Sequence, residues 1–326
     1  MHETFVQQIN EVLEAVKSRK IDNIYLVACG GSMASLMPGE YYLDLETDVP
    51  VKVYTSNEFV HRTPKQLGEN SLVITRSHSG ETPESVEATK LARAKGALTL
   101  AISMVADSPL SQAGEYKLGY LYSKTEPVDA IDGDTATYFR FLFSLINVLN
   151  PNGKWDRLLE QMKGLQGLVD ANVAKYAESA EEFGKEQKRA PLVYTMASGQ
   201  YFSHAYSFTS CLLMEMLWVH SNAIHAGEFF HGPFEITDYD VPFLVIRGNG
   251  ATLPLDDRAI AFAEKFSDEV YVIDTNEFDY TGVDEDLREY FGSLLIGKVM
   301  RGYADALADH KGHPLSVRRY MWRMEY

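Results

Sequence analysis

One pattern occurs twice in this chain: a short, fully apolar segment, then a turn of small residues, then a long stretch of helical composition. The first apolar segment covers residues 24–28 and its turn is 29–32; the second covers 192–195 and its turn is 197–199. Apolar segments of strand length without polar alternation predict strands buried on both faces, as in a parallel sheet with helices on each side. The repeat therefore predicts an α/β fold built from two related domains.

Further segments extend both domains. Short apolar segments predict strands at residues 51–54, 72–75, 98–102, 241–246 and 270–273. Helical composition marks residues 33–45, 84–94 and 257–265. We expect a first domain over residues 1–155, a charged helical connector over 156–190, and a second domain with a C-terminal tail over 191–326. One large, irregular α/β domain is the alternative.

Composition narrows the classes of function. The 326 residues are 45% hydrophobic and 23% charged, as in globular proteins, and the net charge of −16 argues against a nucleic-acid partner. No apolar run reaches the roughly 18–20 residues that cross a bilayer, so we expect no membrane attachment, and residues 1–10 are too polar for a secretory signal. Cys29 and Cys211 predict neither a disulfide framework nor a metal site and favour a reducing cytoplasm.

The turn at residues 77–82 is the first candidate ligand site. It follows a predicted strand and precedes a helix that begins near Pro83, with Thr82 in the N-cap position. At the carboxyl end of a parallel strand, such a turn directs free backbone amides and the positive end of a helix at one point, where an anion can bind. Its hydroxyl and glycine residues are Ser77, Ser79, Gly80 and Thr82. The turn at 29–32 has the same layout and contributes Ser32.

The alternative for these turns is purely structural, since any strand-to-helix turn uses the same residue types. No Gly-Lys-Ser/Thr motif of the nucleotide triphosphate-binding kind is present. The residues alone therefore predict at most a site for a small anion.

The second candidate is a carboxylate in an apolar helix. Residues 208–219 are apolar nearly all round, which predicts a buried helix, and Glu215 shares a face with Phe208, Leu212 and Val219. Burial without a partner raises the pKa of a carboxyl group towards the range of a general base. The alternative is that Glu215 makes a structural salt bridge or cap.

The third candidate is a histidine in a glycine-bracketed loop. Residues 227–233 read Gly-Glu-Phe-Phe-His-Gly-Pro, which predicts a sharp, fixed loop carrying Glu228 and His231. A histidine held in this way can transfer protons at neutral pH. The spacing of His220, His225 and His231 does not fit a helical two-histidine metal motif, so no metal is predicted.

The turns at 28–32 and 77–85 together resemble the two phosphosugar-binding turns of the sugar isomerase (SIS) domain family. The resemblance implies that Ser32, Ser77, Ser79 and Thr82 bind the substrate phosphate, with His78 at the intervening contact position. The second α/β repeat is similar to the paired SIS domains in the isomerase half of glucosamine-6-phosphate synthase. The expected fold is therefore two SIS domains, each a parallel sheet flanked by helices.

Glu215 and the loop at 227–233 also resemble that isomerase half. There a carboxylate moves a proton between C1 and C2 of the sugar, and a histidine from the partner subunit opens the sugar ring. By position these residues are Glu215 and His231. This chain begins directly with the sugar domain, without an amidotransferase domain, and its tail lacks the lysine-bearing segment of the synthase. The synthase reaction is therefore not expected.

The tail and residues 227–236 are most similar to the bacterial fructosamine-6-phosphate deglycases, and this resemblance covers essentially the whole chain. It implies a cofactor-free enzyme that splits a phosphorylated glycated amino acid, first of all fructoselysine 6-phosphate, into glucose 6-phosphate and a free amino acid. Arg318, Arg319 and Tyr320 are candidates to close over the substrate. If His231 serves a neighbouring chain, the protein is a homodimer or larger homo-oligomer with shared active sites.

Three alternatives stay open. The first is another substrate for the deglycase, either 6-phosphofructose-aspartate or glucoselysine 6-phosphate. The second is an aldose–ketose isomerase that acts on sugar phosphates. The third is a non-catalytic phosphosugar sensor, which is disfavoured because no DNA-binding segment precedes residue 24 and because a sensor does not need Glu215 and His231.

Overall fold

The computed structural model describes residues 2–325, so Met1 and Tyr326, the ends of the two predicted domains, lie outside the described residues. The chain divides into two compact units, one that ends at Gln166 and one that begins at Gly167. This division falls within the predicted connector, 156–190, whose helices therefore belong to both units.

The first unit is built on a five-stranded parallel sheet. Its strands are β1 (Asn23–Ala28), β2 (Val51–Thr55), β3 (Ser71–Arg76), β4 (Leu98–Ile102) and β5 (Tyr116–Leu118). Its helices are α1 (Glu3–Lys17), α2 (Gly30–Glu46), α3 (Ser56–His61), α4 (Pro83–Ala94), α5 (Pro109–Ala113), α6 (Asp134–Leu149) and α7 (Gly153–Gln161). Every residue of β1, β3 and β4 is buried, which is why these strands are continuous apolar segments in the sequence.

Helices cover both faces of this sheet. On one face, Val27 and Val73 share a buried cluster with Ala88 of α4. On the other face, Leu26 lies against Gly39 of α2, where an added Cβ would be 3.2 Å from the leucine Cδ1. The core of the unit therefore lies on both sides of the sheet, as expected for buried parallel strands.

The register of the first sheet aligns the carboxyl ends of its strands. Ala28, the last residue of β1, pairs with Arg76, the last residue of β3, and Arg76 pairs with Ile102 at the end of β4. The strand order is β2-β1-β3-β4-β5, so the direction of winding reverses between β1 and β3. In doubly wound α/β sheets, ligands bind at this switch point, beyond the carboxyl ends of the strands.

The second unit is built on a four-stranded parallel sheet. Its strands are β6 (Leu192–Ala197), β7 (His220–His225), β8 (Phe243–Arg247) and β9 (Val270–Asp274). Its helices are α8 (Leu165–Lys175), which begins two residues before the division, α9 (Ala177–Gln187), α10 (Phe202–Ser207), α11 (Leu253–Phe266) and α12 (Arg288–Lys311). A π-helix, Phe208–Met216, continues directly from α10.

The second sheet repeats the winding of the first. Its order, β7-β6-β8-β9, places the reversal between β6 and β8, as the first sheet does between β1 and β3. The prediction of two α/β domains, each with a parallel sheet flanked by helices, is confirmed. Within residues 2–325, no helix is long and apolar enough to cross a membrane.

The helices of the predicted connector are packed rather than free. Trp155 of α7 is fully buried and stacks on Phe143 of α6 at 5.8 Å between ring centroids. Gly184 of α9 lies so close to α12 that an added Cβ would be 2.6 Å from the Ala306 carbonyl carbon. Each helix therefore contributes to the core of its own unit.

Candidate active site

The two predicted phosphate turns lie at the same edge of the first sheet. The turn at 29–32 follows β1 and the turn at 77–82 follows β3, and the last residues of these two adjacent strands are paired. Both turns open helices, α2 at Gly30 and α4 at Pro83. They therefore flank the switch point of this sheet, where the fold places ligands.

Hydrogen bonds within the turn at 77–82 fix its shape. The Ser77 hydroxyl is 2.8 Å from the Thr82 hydroxyl and accepts a hydrogen bond from the Gly80 amide at 3.1 Å. The Ser79 hydroxyl accepts from the Glu81 amide at 3.2 Å. Thr82 holds the N-cap position of α4, as predicted, but its side chain bonds Ser77 instead of capping the helix.

Gly80 allows the turn to approach the loop after β4. Its φ of +72° lies in the left-handed region, and an added Cβ would be 2.1 Å from the Ser108 hydroxyl oxygen. The Gly80 carbonyl accepts from the Leu110 amide at 3.0 Å. Only glycine satisfies both the conformation and the space at this position.

In the turn at 29–32, no side chain caps the N-terminus of α2. Cys29 occupies the N-cap of α2 without a side-chain cap bond, and Gly30 has a φ of +52°. Ser32 lies in the first turn of α2 and is partly buried. The first-turn amides of a helix have no partner within the helix itself, so Ser32 stands beside backbone donors suited to an anion.

His78 packs between aromatic rings beside the phosphate turn. Its Nδ1 is 2.9 Å from the Tyr120 hydroxyl, and its ring meets Tyr122 edge-on at 4.6 Å. Partial desolvation lowers the pKa of His78 below its ordinary value, and the nearby Arg76 acts in the same direction. His78 is therefore neutral at neutral pH and contributes no positive charge to the turn.

Arg76 is a buried cation next to the turn at 77–82, and the sequence analysis did not identify it. Only 3% of its side chain is exposed, and its Nη2 donates to Asp134 Oδ2 at 3.2 Å. Its guanidinium also lies over the Tyr120 ring, 5.2 Å from the centroid. The signal in the sequence was a charged residue directly after four apolar or β-branched strand residues.

Glu215 lies in the second unit on the π-helix that continues α10. The wider winding is visible in the Leu217 amide, which donates to the Leu212 carbonyl five residues back at 3.0 Å. Trp218, with a φ of +57°, ends this segment two residues before β7. π-helical turns occur frequently at functional sites, because they shift the direction of the side chains that follow.

The expectation of a lone, buried carboxylate is wrong. The Glu215 side chain is 26% exposed, and Met214 beside it is 43% exposed, although Phe208 and Val219 of the predicted face are buried. Glu215 is paired with Arg318: Nε of the arginine donates to Oε1 at 3.0 Å, and Nη2 forms an ion pair with the same oxygen at 2.9 Å. The alternative of a structural salt bridge therefore describes Glu215 in this structure.

Backbone carbonyls of the residues just before Arg318 hold the side of its guanidinium that faces away from Glu215. It is 8% exposed, and its Nη1 donates to the carbonyls of Leu315 and Val317 at 2.7 and 2.9 Å. All three guanidinium nitrogens are thus engaged. The tail of the chain and the Glu215 carboxylate are fixed relative to each other by one side chain.

The other two predicted closure residues have different surroundings. The Arg319 guanidinium lies 4.3 Å from the Trp218 ring centroid, and Tyr320 is 61% exposed. Of the three tail residues, only Arg318 contacts Glu215 in the described structure. Their role in closure over a substrate stays a prediction.

The loop of His231 is fixed by aromatic packing. Phe229 is fully buried against Phe243 and Phe262, and Gly232, with a φ of +135°, turns the chain after His231. His231 itself is exposed. Among residues 2–325, no hydrogen bond or ion pair joins His231 to Glu215.

A carboxylate occupies the switch point of the second sheet. Asp256 of α11 is fully buried, accepts from the Ser198 hydroxyl at 2.6 Å and from the Gly248 amide at 3.0 Å. Ser198 follows β6 and Gly248 follows β8, so these donors correspond in topology to the two phosphate turns of the first unit. Burial raises the pKa of Asp256 to about 6. The second repeat therefore fills its own anion position with a side chain.

The sheet order and the serine-rich turn at the switch point define the class of protein. The SIS domain family model matches residues 18–146, which contain both phosphate turns.

Cys29 and Cys211 are free thiols. In the part of the chain that the structure describes, no group of three or more His, Cys, Asp or Glu side chains could hold a metal ion.

Individual relatives narrow this class. A fructosamine deglycase of Bacillus subtilis is 41% identical over 98% of this chain and 97% of its own length. A fructoselysine 6-phosphate deglycase of Escherichia coli is 30% identical over 97% of this chain and 90% of its own length. A solved Bacillus subtilis structure assigned to the phosphosugar isomerases has a TM-score of 0.95 at 41% identity and covers 98% of this chain and 97% of that one. The chain belongs to the fructosamine deglycase family of SIS-domain enzymes.

Proposed function

We propose that this protein is a fructosamine-6-phosphate deglycase that converts fructoselysine 6-phosphate and water into glucose 6-phosphate and lysine. The observation that carries the proposal is similarity along almost the entire chain to proteins named for this chemistry, at 41% and 30% identity. In this proposal the turns of the first unit bind the substrate phosphate, and Glu215 is the base.

The turn at 77–82 and Ser32 bind the substrate phosphate in this proposal. The hydrogen bonds of Ser77 and Thr82 hold the turn in one shape, so its backbone needs little reorganisation when the phosphate binds. Binding energy from the phosphate positions carbons C1 and C2, which lie at the other end of the sugar.

Glu215 transfers the protons in this proposal. After His231 assists opening of the sugar ring, the carboxylate removes a proton from C1 of the ketoamine while the C2 carbonyl oxygen takes a proton from water, which gives an enaminol. It then returns a proton to C2, which gives an imine between C1 and the amino group. Water adds to this imine and releases the amine and the aldehyde of glucose 6-phosphate. One base serves both proton transfers, and the steps need no cofactor.

Arg318 positions the base. Its contact with Glu215 through two nitrogens orients the carboxylate, while its third nitrogen is fixed by the carbonyls of Leu315 and Val317. A carboxylate held in this way has fewer orientations to lose when the substrate binds.

A direct assay tests the proposal. The purified protein is supplied with fructoselysine 6-phosphate, and glucose 6-phosphate is measured with a coupled dehydrogenase while free lysine is quantified. We expect both products in equal amounts. Absence of glucose 6-phosphate, together with turnover of fructose 6-phosphate, would overturn the proposal.

The second candidate is an aldose–ketose isomerase acting on a sugar phosphate. The similarity to a solved structure assigned to the phosphosugar isomerases favours it, and the same carboxylate would move the same proton. The two functions differ in cleavage of the C–N bond. Comparison of kcat/KM for fructose 6-phosphate with kcat/KM for fructoselysine 6-phosphate, glucoselysine 6-phosphate and 6-phosphofructose-aspartate therefore distinguishes the two functions and ranks the substrates.

A further inference from the structure

Arg76 has two donor groups without a hydrogen-bond partner among residues 2–325. Its side chain is 97% buried, yet only Nη2 has a hydrogen-bond partner, Asp134. Nε and Nη1 are both buried and have no hydrogen-bond partner among the described residues, so a ligand reaches them after a shift of the neighbouring side chains. A buried donor that is left unpaired costs about 1–3 kcal/mol, and more when the group is charged. Such an arrangement indicates a ligand that completes it.

The position of Arg76 points to the ligand. It is the last residue of β3, directly before Ser77, and its pairing with Ala28 and Ile102 places it at the switch point. Its guanidinium lies over the ring of Tyr120, and the Tyr120 hydroxyl bonds His78 of the turn. The cation is therefore beside the proposed phosphate turn, on the face of the sheet where α6 begins.

A cation beside the turn complements the charge of a bound phosphate. A sugar phosphate carries close to two negative charges at neutral pH. The turn itself offers neutral hydroxyl and amide donors, and Glu81 and Glu84 add negative charge nearby. His78 is neutral for the reason given above. Arg76 is the cationic side chain within residues 76–85.

We propose that Arg76 is the cationic residue of the phosphate site, with Nη2 anchored on Asp134 and its unpaired nitrogens donating to the phosphate oxygens of the substrate. The proposal rests on the proposed function, because it takes the turn at 77–82 as the phosphate site. A phosphate site with Arg76 differs from one that uses only hydroxyl groups and a helix end. Full affinity for the substrate phosphate then requires a guanidinium group and not only a point charge.

Binding by the full-length protein tests the proposal independently of catalysis. Variants Arg76→Gln and Arg76→Lys are compared with the parent chain and with Arg93→Gln, a control on the exposed side of α4 whose arginine bonds the Ala113 and Gly114 carbonyls. Affinity for glucose 6-phosphate and for inorganic phosphate is measured by calorimetry, with glucose as the uncharged probe, and the melting temperature is measured with and without each probe.

We expect the parent chain and Arg93→Gln to bind glucose 6-phosphate equally, and neither to bind glucose with comparable strength. Arg76→Gln should weaken phosphate binding roughly 10- to 100-fold, as loss of a charge-assisted hydrogen bond does, and Arg76→Lys should lie between. Because the unpaired charge is removed, the melting temperature of ligand-free Arg76→Gln should be equal to or above that of the parent.

Two results would overturn the proposal. Unchanged affinity of Arg76→Gln would show that the guanidinium does not reach the phosphate, while the proposed function itself would stand. A large loss of melting temperature in both ligand-free variants would show that Arg76 serves the fold. If the parent chain binds neither glucose 6-phosphate nor inorganic phosphate, the proposed function fails as well.

Discussion

At the scale of single residues, the account depends on Glu215 and its partner. A carboxylate that accepts a hydrogen bond from a guanidinium and is ion-paired with it has a restricted orientation, which suits a base that must serve two neighbouring carbons in turn. The pairing also explains how a partly buried carboxylate is tolerated on a largely apolar segment, because the arginine compensates its desolvation.

Replacement of Glu215 by Gln should abolish turnover while leaving the fold intact. The amide has nearly the same shape but cannot accept the C1 proton, so we expect kcat to fall by about 10²- to 10⁴-fold. Affinity for glucose 6-phosphate should be unchanged, because the phosphate turn is untouched. Glu264→Gln, an exposed site on α11, is the matched control. An active Glu215→Gln enzyme would refute the assigned role.

Replacement of Arg318 by Gln should reduce kcat about 10- to 100-fold with a smaller effect on KM, because the base loses its orientation. Arg318→Lys should recover part of the rate. Arg323→Gln, an exposed arginine of the same tail, serves as the control. Steady-state kinetics on fructoselysine 6-phosphate measures both parameters, and an unchanged kcat in Arg318→Gln would contradict a positioning role.

At the scale of structural elements, the switch points of the two sheets have the same topology but differ in what their polar groups bind. In the first unit the turns after β1 and β3 present hydroxyl groups and amides, and Gly80 brings the turn against the loop after β4. In the second unit the corresponding donors, the Ser198 hydroxyl and the Gly248 amide, are already bonded to Asp256. The same topology therefore yields one open anion position and one that is closed.

Gly80→Ala should damage the first turn. A side chain there meets both an unfavourable φ and the Ser108 hydroxyl, so we expect a loss of about 1–3 kcal/mol in the free energy of unfolding and weaker binding of glucose 6-phosphate. At Gly68 an added Cβ would have no neighbour within 4 Å. Gly68→Ala should therefore leave both quantities nearly unchanged, as measured by urea denaturation and calorimetry. Equal effects of the two substitutions would contradict the account.

Asp256 predicts a pH dependence of stability. Its pKa is raised from 3.8 to about 6 by burial, so the folded protein holds this proton more tightly than the unfolded chain. The stability that protonation provides is complete below pH 3.8 and is lost as the pH rises through about 6, by an amount of the order of 3 kcal/mol. Asp256→Asn removes this titration.

Relative to the parent chain, Asp256→Asn should therefore gain stability as the pH is raised from 4 to 7. Comparison of the two proteins by urea denaturation at each pH isolates this group from the others that titrate. A difference that stays constant over this range would show that the Asp256 carboxyl group is not perturbed in the folded protein.

The strands that could be predicted from the sequence are the ones buried on both faces. The segment predicted at 98–102 has the same bounds as β4, because every residue of that strand is apolar or β-branched and buried. Strand β7, with the sequence HSNAIH, was missed, since an edge strand is partly exposed and needs no apolar run. The π-helical winding was also missed, because its residues have ordinary helical composition.

The candidate site residues followed from motifs, but their partners did not. The pairing of Glu215 with Arg318 joins residues 103 positions apart in the chain, and that of Arg76 with Asp134 joins residues 58 apart. Contacts of this kind depend on how distant elements pack, and no local spacing or composition encodes them. The roles of Ser32, Ser77, His78, Ser79, Thr82 and His231 stay predictions.

At the scale of the whole molecule, the exposure of His231 bears on assembly. His231 has no bond to Glu215 in the described structure and is exposed on a rigid loop. If active sites are shared between chains, mixing inactive Glu215→Gln with inactive His231→Asn should restore activity, since hybrid oligomers contain intact sites. Subunit exchange is verified by native mass spectrometry. Absence of rescue after verified exchange would mean that each site is built within one chain.

The central claim is that one base moves a proton between C1 and C2 before the C–N bond is broken, and solvent isotope incorporation tests it most directly. Fructoselysine 6-phosphate is converted in deuterium oxide, and the glucose 6-phosphate product is analysed by NMR and mass spectrometry. The Glu215 side chain is 26% exposed, so we expect its proton to exchange with solvent between the two transfers, and we predict deuterium at C2 of the product. Formation of glucose 6-phosphate without deuterium at C2 under conditions of full exchange, or release of lysine without glucose 6-phosphate, would contradict the account.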